Sequence, residues 1–128
     1  MVMEDVGGTG YMAKKPETRR QRRIRKRLQE KWPKSRFIKI HGGEYQNEGE
    51  PDIIGCVEGL FVALEVKEPD NDPTPLQIAV LKEWAKAGAC TGVVETPEQT
   101  IALIQLARRS SERSRVVCAT VGRMRSLL

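Results

Sequence analysis

The sequence is poor in the residues that form disulfide frameworks, zinc sites and nucleophilic triads. Its three cysteines, Cys56, Cys90 and Cys118, lie far apart and form no CxxC pair. This spacing fits neither a disulfide framework nor a zinc site, and it favours a reducing compartment. The chain has one histidine, His41, so no Ser/His/Asp or Cys/His arrangement competes as a catalytic centre.

Long apolar segments are also missing. No stretch approaches the roughly 18 apolar residues of a membrane span, and the N-terminus lacks the apolar core of a signal peptide. At 128 residues, with 39% hydrophobic and 30% charged residues, the composition is typical of one globular domain. We therefore expect a cytoplasmic protein with no membrane partner.

Positive charge is concentrated near the N-terminus. The net charge is +5 with a sequence pI of about 9.3, and nine of the fourteen residues 14–27 are basic, with Glu17 as the one acid. An apolar residue recurs every four positions from Ile24 to Trp32, which predicts a helix from Pro16 to Trp32. A solvated basic helix is one interpretation, but a run of one sign repels itself unless a polyanion neutralises it. The candidate nucleic-acid contacts are Arg19, Arg20, Arg22, Arg23, Lys26, Lys39 and His41.

Three strands are predicted in the middle of the chain. Residues 37–41 alternate in polarity, while residues 52–57 and 60–67 are largely apolar. The two residues between the last two runs, Glu58-Gly59, are a hairpin signal. A two-residue turn sets Asp52 directly opposite Glu65, with Cβ atoms about 4.5–5.5 Å apart. The next pair on that face is Glu50 with Lys67.

This register predicts a metal site. Two adjacent carboxylates repel each other unless a cation lies between them, and hard oxygen ligands suit Mg²⁺ or Mn²⁺. A structural interpretation is also open, because Glu65-Val66-Lys67 is an ordinary salt-bridging pattern and one bulge would move Asp52 to the other face. The strand is apolar on both faces until it ends in charge, which favours a site. His41, as a lone histidine, is a weaker candidate for a phosphate contact.

The remaining elements are a helix, a strand and a helix. The segment Thr74-Pro75-Leu76-Gln77 has the pattern of a capping box. Gln77 therefore has two open interpretations, as a helix cap or as a site residue. The helix ends at Gly88 and is expected to bury a face of Leu76, Ala79, Val80, Trp84 and Ala87. A buried strand over 91–95 and a helix from Pro97 to Arg109 follow. The order α-β-β-β-α-β-α predicts an α/β fold with a mixed four-stranded sheet flanked by helices.

These motifs resemble a known nuclease family. Gly49-Glu50-Pro51-Asp52, a gap of twelve residues, Glu65-Val66-Lys67 and then Gln77 are similar to the PD-(D/E)XK nucleases, and more narrowly to the VRR-NUC branch with its stand-alone phage members. The resemblance covers residues 16–98 and implies a restriction-endonuclease-like core. Residues 14–109 are the expected nuclease domain. The glycine-containing residues 1–13 are interpreted as a flexible lead, and the basic and apolar residues 110–128 as an extension that belongs either to that domain or to a dimer interface.

The resemblance also assigns roles. It implies that Asp52, Glu65 and the Val66 carbonyl bind the metal, that Lys67 assists the attacking water, and that Gln77 is a site residue. Glu17 is the best match to an acid in the first helix, although the helix dipole also accounts for it. Glu50 stands where members often carry a neutral residue, so it is either a further ligand or the partner of Lys67.

Two functions from different classes follow. The first is Mg²⁺-dependent cleavage of DNA, of branched, flap or four-way-junction structure, by a homodimer in a bacterial or phage-infected cytoplasm, as the resemblance implies. The second is a basic module that binds nucleic acid without cutting it. The pair Asp52 and Glu65 favours the first, because a pure binder gains nothing from two negative charges beside its polyanion.

Overall fold

A computed structural model describes residues 16–41 and 48–110 of the chain. The elements follow the order α1 (Pro16–Lys31), β1 (Arg36–Lys39), β2 (Ile53–Val57), β3 (Leu60–Val66), α2 (Pro75–Lys86), β4 (Cys90–Val94) and α3 (Pro97–Ser110). The predicted order of helices and strands is confirmed, with ends that differ by one to two residues. Residues 1–15, 42–47 and 111–128, which include most of the expected lead and C-terminal extension, lie outside the described residues.

The four strands form one mixed sheet in the order β1-β2-β3-β4. The first three are antiparallel neighbours, whereas β3 and β4 are parallel. The helix α2 therefore supplies the crossover between the two parallel strands. In the β2–β3 hairpin Val57 pairs with Leu60 and Ile53 with Leu64, as predicted. The turn residues Glu58 and Gly59 have φ values of 49° and 91°, the left-handed conformation that a tight hairpin needs.

Helices cover the sheet unequally. The larger core lies between one sheet face and the helices α1 and α3, and its fully buried side chains include Ile24, Leu28, Ile53, Val62, Leu64, Val66, Leu103 and Ile104. On the other face α2 packs over β3 and β4, where Leu81 and Val93 are buried beside Ile78. That second face carries Asp52, Glu65 and Lys67, because each strand alternates its side chains between faces.

The predicted buried face of α2 is wrong. Leu76 is 46% exposed and Ala79 is exposed, whereas Leu81 is 1% exposed. The helix is apolar on several sides, so periodicity alone did not identify the side that meets the sheet. In the part of the chain that the structure describes, no helix has the length and apolarity to cross a bilayer.

Candidate active site

Asp52 lies immediately before β2, against the end of β3. Its backbone N–H donates to the Leu64 carbonyl at 2.9 Å, and its carboxylate Oδ2 accepts from the Val66 N–H at 2.8 Å. The paired register of β2 and β3 ends at Ile53 with Leu64, and these two bonds anchor Asp52 to the residues on either side of Glu65. The Asp52 carboxylate thus accepts the hydrogen bond of a β3 backbone N–H beyond the last paired residues of β2 and β3.

Glu65 is the most deeply buried acid of the site. It is 1% exposed, and its Oε2 lies 3.4 Å from Lys67 Nζ. The Lys67 side chain is 14% exposed, so its ammonium lies at the entrance of the site. Burying an ionised carboxylate is costly unless a cation accompanies it. Lys67 supplies one positive charge for the two carboxylates that the hairpin brings together.

The loop before Asp52 is held against α2. Gly49 has φ +85°, and a Cβ there would lie 2.8 Å from Leu76 Cγ, so both the conformation and the space require glycine. Glu50 Oε1 accepts from Trp84 Nε1 at 3.3 Å, and Trp84 stacks on Phe61 with ring centroids 5.1 Å apart. Glu50 is therefore bound to α2, and the contact seen for Lys67 is with Glu65. The expected pairing of Glu50 with Lys67 is not among these contacts.

Asp52 and Glu65 are suited to a hard divalent cation. Two like charges on adjacent strands, one of them nearly excluded from water, attract a cation between them. Mg²⁺ is commonly held by one or two carboxylates plus water and substrate phosphate, so the donor set fits that ion. Within residues 16–41 and 48–110, no three His, Cys, Asp or Glu side chains converge on one point. A further protein ligand would have to be a backbone carbonyl, such as that of Val66, or a side chain outside the described set.

The start of α1 is tied to the same end of the sheet. Arg20 Nη1 donates to the Glu95 carbonyl at 2.6 Å, and Nη2 pairs with Glu68 Oε1 at 3.1 Å. Arg20, a predicted nucleic-acid contact, is thus engaged within the protein. Glu17 lies one turn earlier in α1, although its side chain is outside the described residues. Gln21, which the sequence analysis did not single out, is 4% exposed and its buried Oε1 accepts no hydrogen bond from a described residue.

The position of Gln21 in the sequence already indicates that its side chain is buried. It lies three residues before Ile24 and seven before Leu28, on the apolar stripe of α1. A polar residue at such a position needs a partner or a role, since its buried amide loses the hydrogen bonds of water.

Gln77 occupies the capping box of α2. Its Oε1 accepts from the Thr74 N–H at 2.9 Å, and its own N–H donates to Thr74 Oγ1 at 3.1 Å. The cap role is confirmed, while a role in the site stays a prediction. Among the other predicted contacts, Arg19, Arg22, Arg23, Lys26 and His41 are exposed residues, and Lys39 is half-buried.

The structure was compared with known proteins. A solved structure titled "VRR_NUC domain" matches with a TM-score of 0.56 and 27% sequence identity, over 70% of this chain and 94% of that one. The chain has the VRR-NUC fold. Since the match spans nearly the whole neighbour, it concerns a domain and not a single motif. A scan against protein-family models found no match, and a search of curated protein sequences found none either.

The VRR-NUC fold confirms the architecture that the sequence motifs implied. The predicted metal ligands and catalytic residues lie at one end of the sheet in that fold.

Proposed function

We propose that this chain is a divalent-metal-dependent endonuclease that hydrolyses phosphodiester bonds in DNA. The observation that carries the proposal is the buried cluster at the β2–β3 hairpin, where Glu65 is 1% exposed and lies 3.4 Å from Lys67. Asp52 accepts a hydrogen bond from the N–H of Val66, the residue that follows Glu65. An ordinary surface salt bridge needs neither the second carboxylate nor this depth of burial.

In this proposal the chain's own residues divide the work. Asp52, Glu65 and the carbonyl of Val66 would hold Mg²⁺ or Mn²⁺, with Glu17 as a further acid and Gln77 as a site residue. The ion, when bound, supplies an acidified water and neutralises charge on the phosphate. Lys67 stabilises the attacking oxygen or the charge that develops on the phosphate, because its ammonium is already fixed beside Glu65. Asp52 is kept in position by the backbone of β3.

The proposed substrate is DNA, and branched, flap or four-way-junction DNA in particular. The exposed cations of α1 (Arg19, Arg22, Arg23 and Lys26) supply the charge that a phosphate backbone requires. Two copies of the chain acting as a homodimer would present two cleavage sites to the two strands of a junction. Sedimentation of the protein with and without a junction tests this arrangement, and a strictly monomeric complex would contradict it.

Cleavage of labelled DNA tests the enzyme directly. Duplex, flap and four-way-junction substrates are incubated with Mg²⁺, Mn²⁺ or EDTA, using the native chain and Glu65→Gln. The matched control is Glu83→Gln, which removes the same charge from an exposed position on α2. We expect cutting only with metal, its loss in Glu65→Gln, and its retention in the control. Salt-sensitive binding without cutting in either metal would leave a nucleic-acid-binding module on a nuclease fold.

A further inference from the structure

A small cationic cavity lies between α1 and β1, apart from the candidate active site. Its volume is about 240 Å³, and we call it the Arg25 pocket. The residues that line it are Arg22, Arg25, Lys26, Gln29 and Phe37. Three of the five are basic and none is acidic, so positive charge predominates in this open pocket.

Arg25 is an unusual residue in this pocket. Its Nε is buried and has no hydrogen-bond partner among the described residues. A buried donor left without an acceptor is destabilising, more so when it is charged. Burial lowers the pKa of Arg25, and the nearby charge of Arg22 lowers that pKa further. Both effects have the sign expected of a cation that lacks an anion.

Neighbouring arginines of α1 differ from Arg25 in their partners. Arg20 pairs with Glu68, and Arg27 pairs with Glu98 at 3.1 Å. No acid of the described residues makes such a pair with Arg25. Arg20 and Arg27 of this helix are thus paired with acids of the protein, whereas Arg25 lines the pocket.

The walls of the pocket are fixed. Gln29 Nε2 donates to the carbonyls of Pro33 and Ser35 at 3.1 and 2.9 Å, which uses both of its amide hydrogens. Phe37 is 8% exposed, and its ring lies over Gly55, where a Cβ would come within 2.3 Å of the ring. A pocket with such walls is preorganised, so a ligand binds without an ordering cost for these groups.

We propose that the Arg25 pocket binds a phosphate group of nucleic acid, with the Arg25 guanidinium as the donor and Arg22 and Lys26 as flanking charges. Phosphate matches the forked donors of arginine and the net charge of the pocket. The choice of nucleic acid as its source rests on the proposed function. An internal phosphodiester and a terminal phosphate share this chemistry.

The phosphate bound here is a different one from the phosphate that is cut. Phe37 faces α1, whereas Asp52 belongs to the opposite sheet face. The two positions are also separated along β1, since the Asp52 carbonyl accepts from Ile40 at 2.8 Å, three residues after Phe37, or about 10 Å of strand. A nucleic acid that reaches both must therefore pass the edge of the sheet formed by β1.

The first test observes the Arg25 guanidinium through its Nε–H. The ¹H–¹⁵N cross-peak of the Arg25 side-chain Nε–H is followed by NMR during titration of the native chain with inorganic phosphate and then with methyl phosphate. We expect a saturable downfield shift larger than that of any exposed arginine, such as Arg109. A cross-peak that moves no more than that of Arg109 overturns the proposal, and this measurement requires no variant.

The second test measures DNA affinity in EDTA, where no cleavage occurs. Arg25→Met is compared with Arg109→Met, an identical change at an exposed position on α3. We expect Arg25→Met to weaken binding roughly tenfold and to reduce the salt slope of log K by about one. Without anions, we expect its melting temperature to rise, because an uncompensated charge is removed. Unchanged affinity and slope, with a lowered melting temperature, would make Arg25 merely structural.

Two further arms separate the possible sources and the two proposals. Binding of a 5′-phosphorylated oligonucleotide is compared with binding of its 5′-hydroxyl counterpart. If Arg25→Met weakens binding of the phosphorylated form more, the pocket binds a terminal phosphate. If both forms lose the same affinity, the pocket binds an internal one. If the native chain cuts DNA but Arg25→Met binds normally, the pocket fails and the nuclease stands. If Arg25→Met impairs binding but no metal supports cutting, the nuclease fails and the pocket stands.

Discussion

Gly55→Ala is expected to be strongly destabilising, because the packing of β1 on β2 leaves no room for a methyl group. A Cβ at this position would lie 2.3 Å from the Arg36 carbonyl oxygen and 2.3 Å from Phe37 Cδ1. Ordinary contacts of this kind begin near 3.4 Å. One of the two atoms belongs to the backbone of a paired strand, since Arg36 is opposite Cys56, and it cannot turn aside as a side chain does.

The expected magnitude follows from this geometry. Overpacking of a well-packed core costs about 1–3 kcal/mol, and two contacts short by more than an ångström place this variant near 3 kcal/mol. Alanine regains about 0.5–1 kcal/mol of conformational entropy relative to glycine. The net loss is about 2 kcal/mol, which corresponds to a fall in melting temperature of roughly 8–16 °C for a domain of this size.

Urea denaturation followed by circular dichroism measures the change, with the slope m unchanged if only the native state is affected. Gly59→Ala is the matched control, because a Cβ there meets nothing within 4 Å and only its φ of +91° is unfavourable. That strain costs about 1 kcal/mol. If Gly55→Ala were no less stable than the native chain, the close packing of Phe37 on β2 would be refuted.

Three further predictions concern the metal, the cap and an exposed ion pair. Glu65→Gln should abolish the thermal stabilisation by Mg²⁺, which for the native chain is about 1.4 kcal/mol at ten times the dissociation constant. Thr74→Ala and Gln77→Ala should each lower the free energy of unfolding by about 1 kcal/mol through loss of the capping box, but only the Gln77 variant should also slow DNA cleavage. The pKa of Glu98 is lowered by its own backbone N–H and by Arg27, so its contribution to stability should be present at neutral pH and be lost as the pH falls from the unfolded pKa through the lower folded one.

Each of these predictions has a control and a contrary result. Glu83→Gln should keep the Mg²⁺ stabilisation, and an unaltered response of Glu65→Gln would contradict the assignment of the metal site. Equal cleavage rates for the two cap variants, after correction for stability, would leave Gln77 with a structural role alone. Glu98→Gln should flatten the acid limb of the stability curve measured by urea titration, and an identical limb would show that this carboxyl does not contribute.

The hairpin and the helix order were predictable because local rules determine them. A two-residue turn allows one register between its strands, so the pairing from Val57 with Leu60 to Ile53 with Leu64 followed from counting residues. The apolar spacing of Ile24 and Leu28 identified α1 in the same way. Glu58 and Gly59 accept the left-handed conformations of the turn, which made that count reliable.

Features that depend on contacts between distant segments were not predictable. The buried side of α2 was misjudged, because Leu76 and Leu81 are equally apolar and only the sheet distinguishes them. Glu50 was expected near Lys67, yet it bonds to Trp84 on a helix 34 residues away in sequence. Gln77 carried two interpretations until the geometry of the cap confirmed one of them.

Patterns a few residues long were enough to predict the order of the elements and the register of the β2–β3 hairpin. The partner of each charged side chain, in contrast, depends on the tertiary structure. Arg20 and Arg25 lie five residues apart in one basic helix, but Arg20 forms an ion pair with Glu68 whereas Arg25 lines a pocket. The physical reason is that electrostatic and desolvation energies depend on distance and burial in three dimensions, and neither quantity is written in the local sequence.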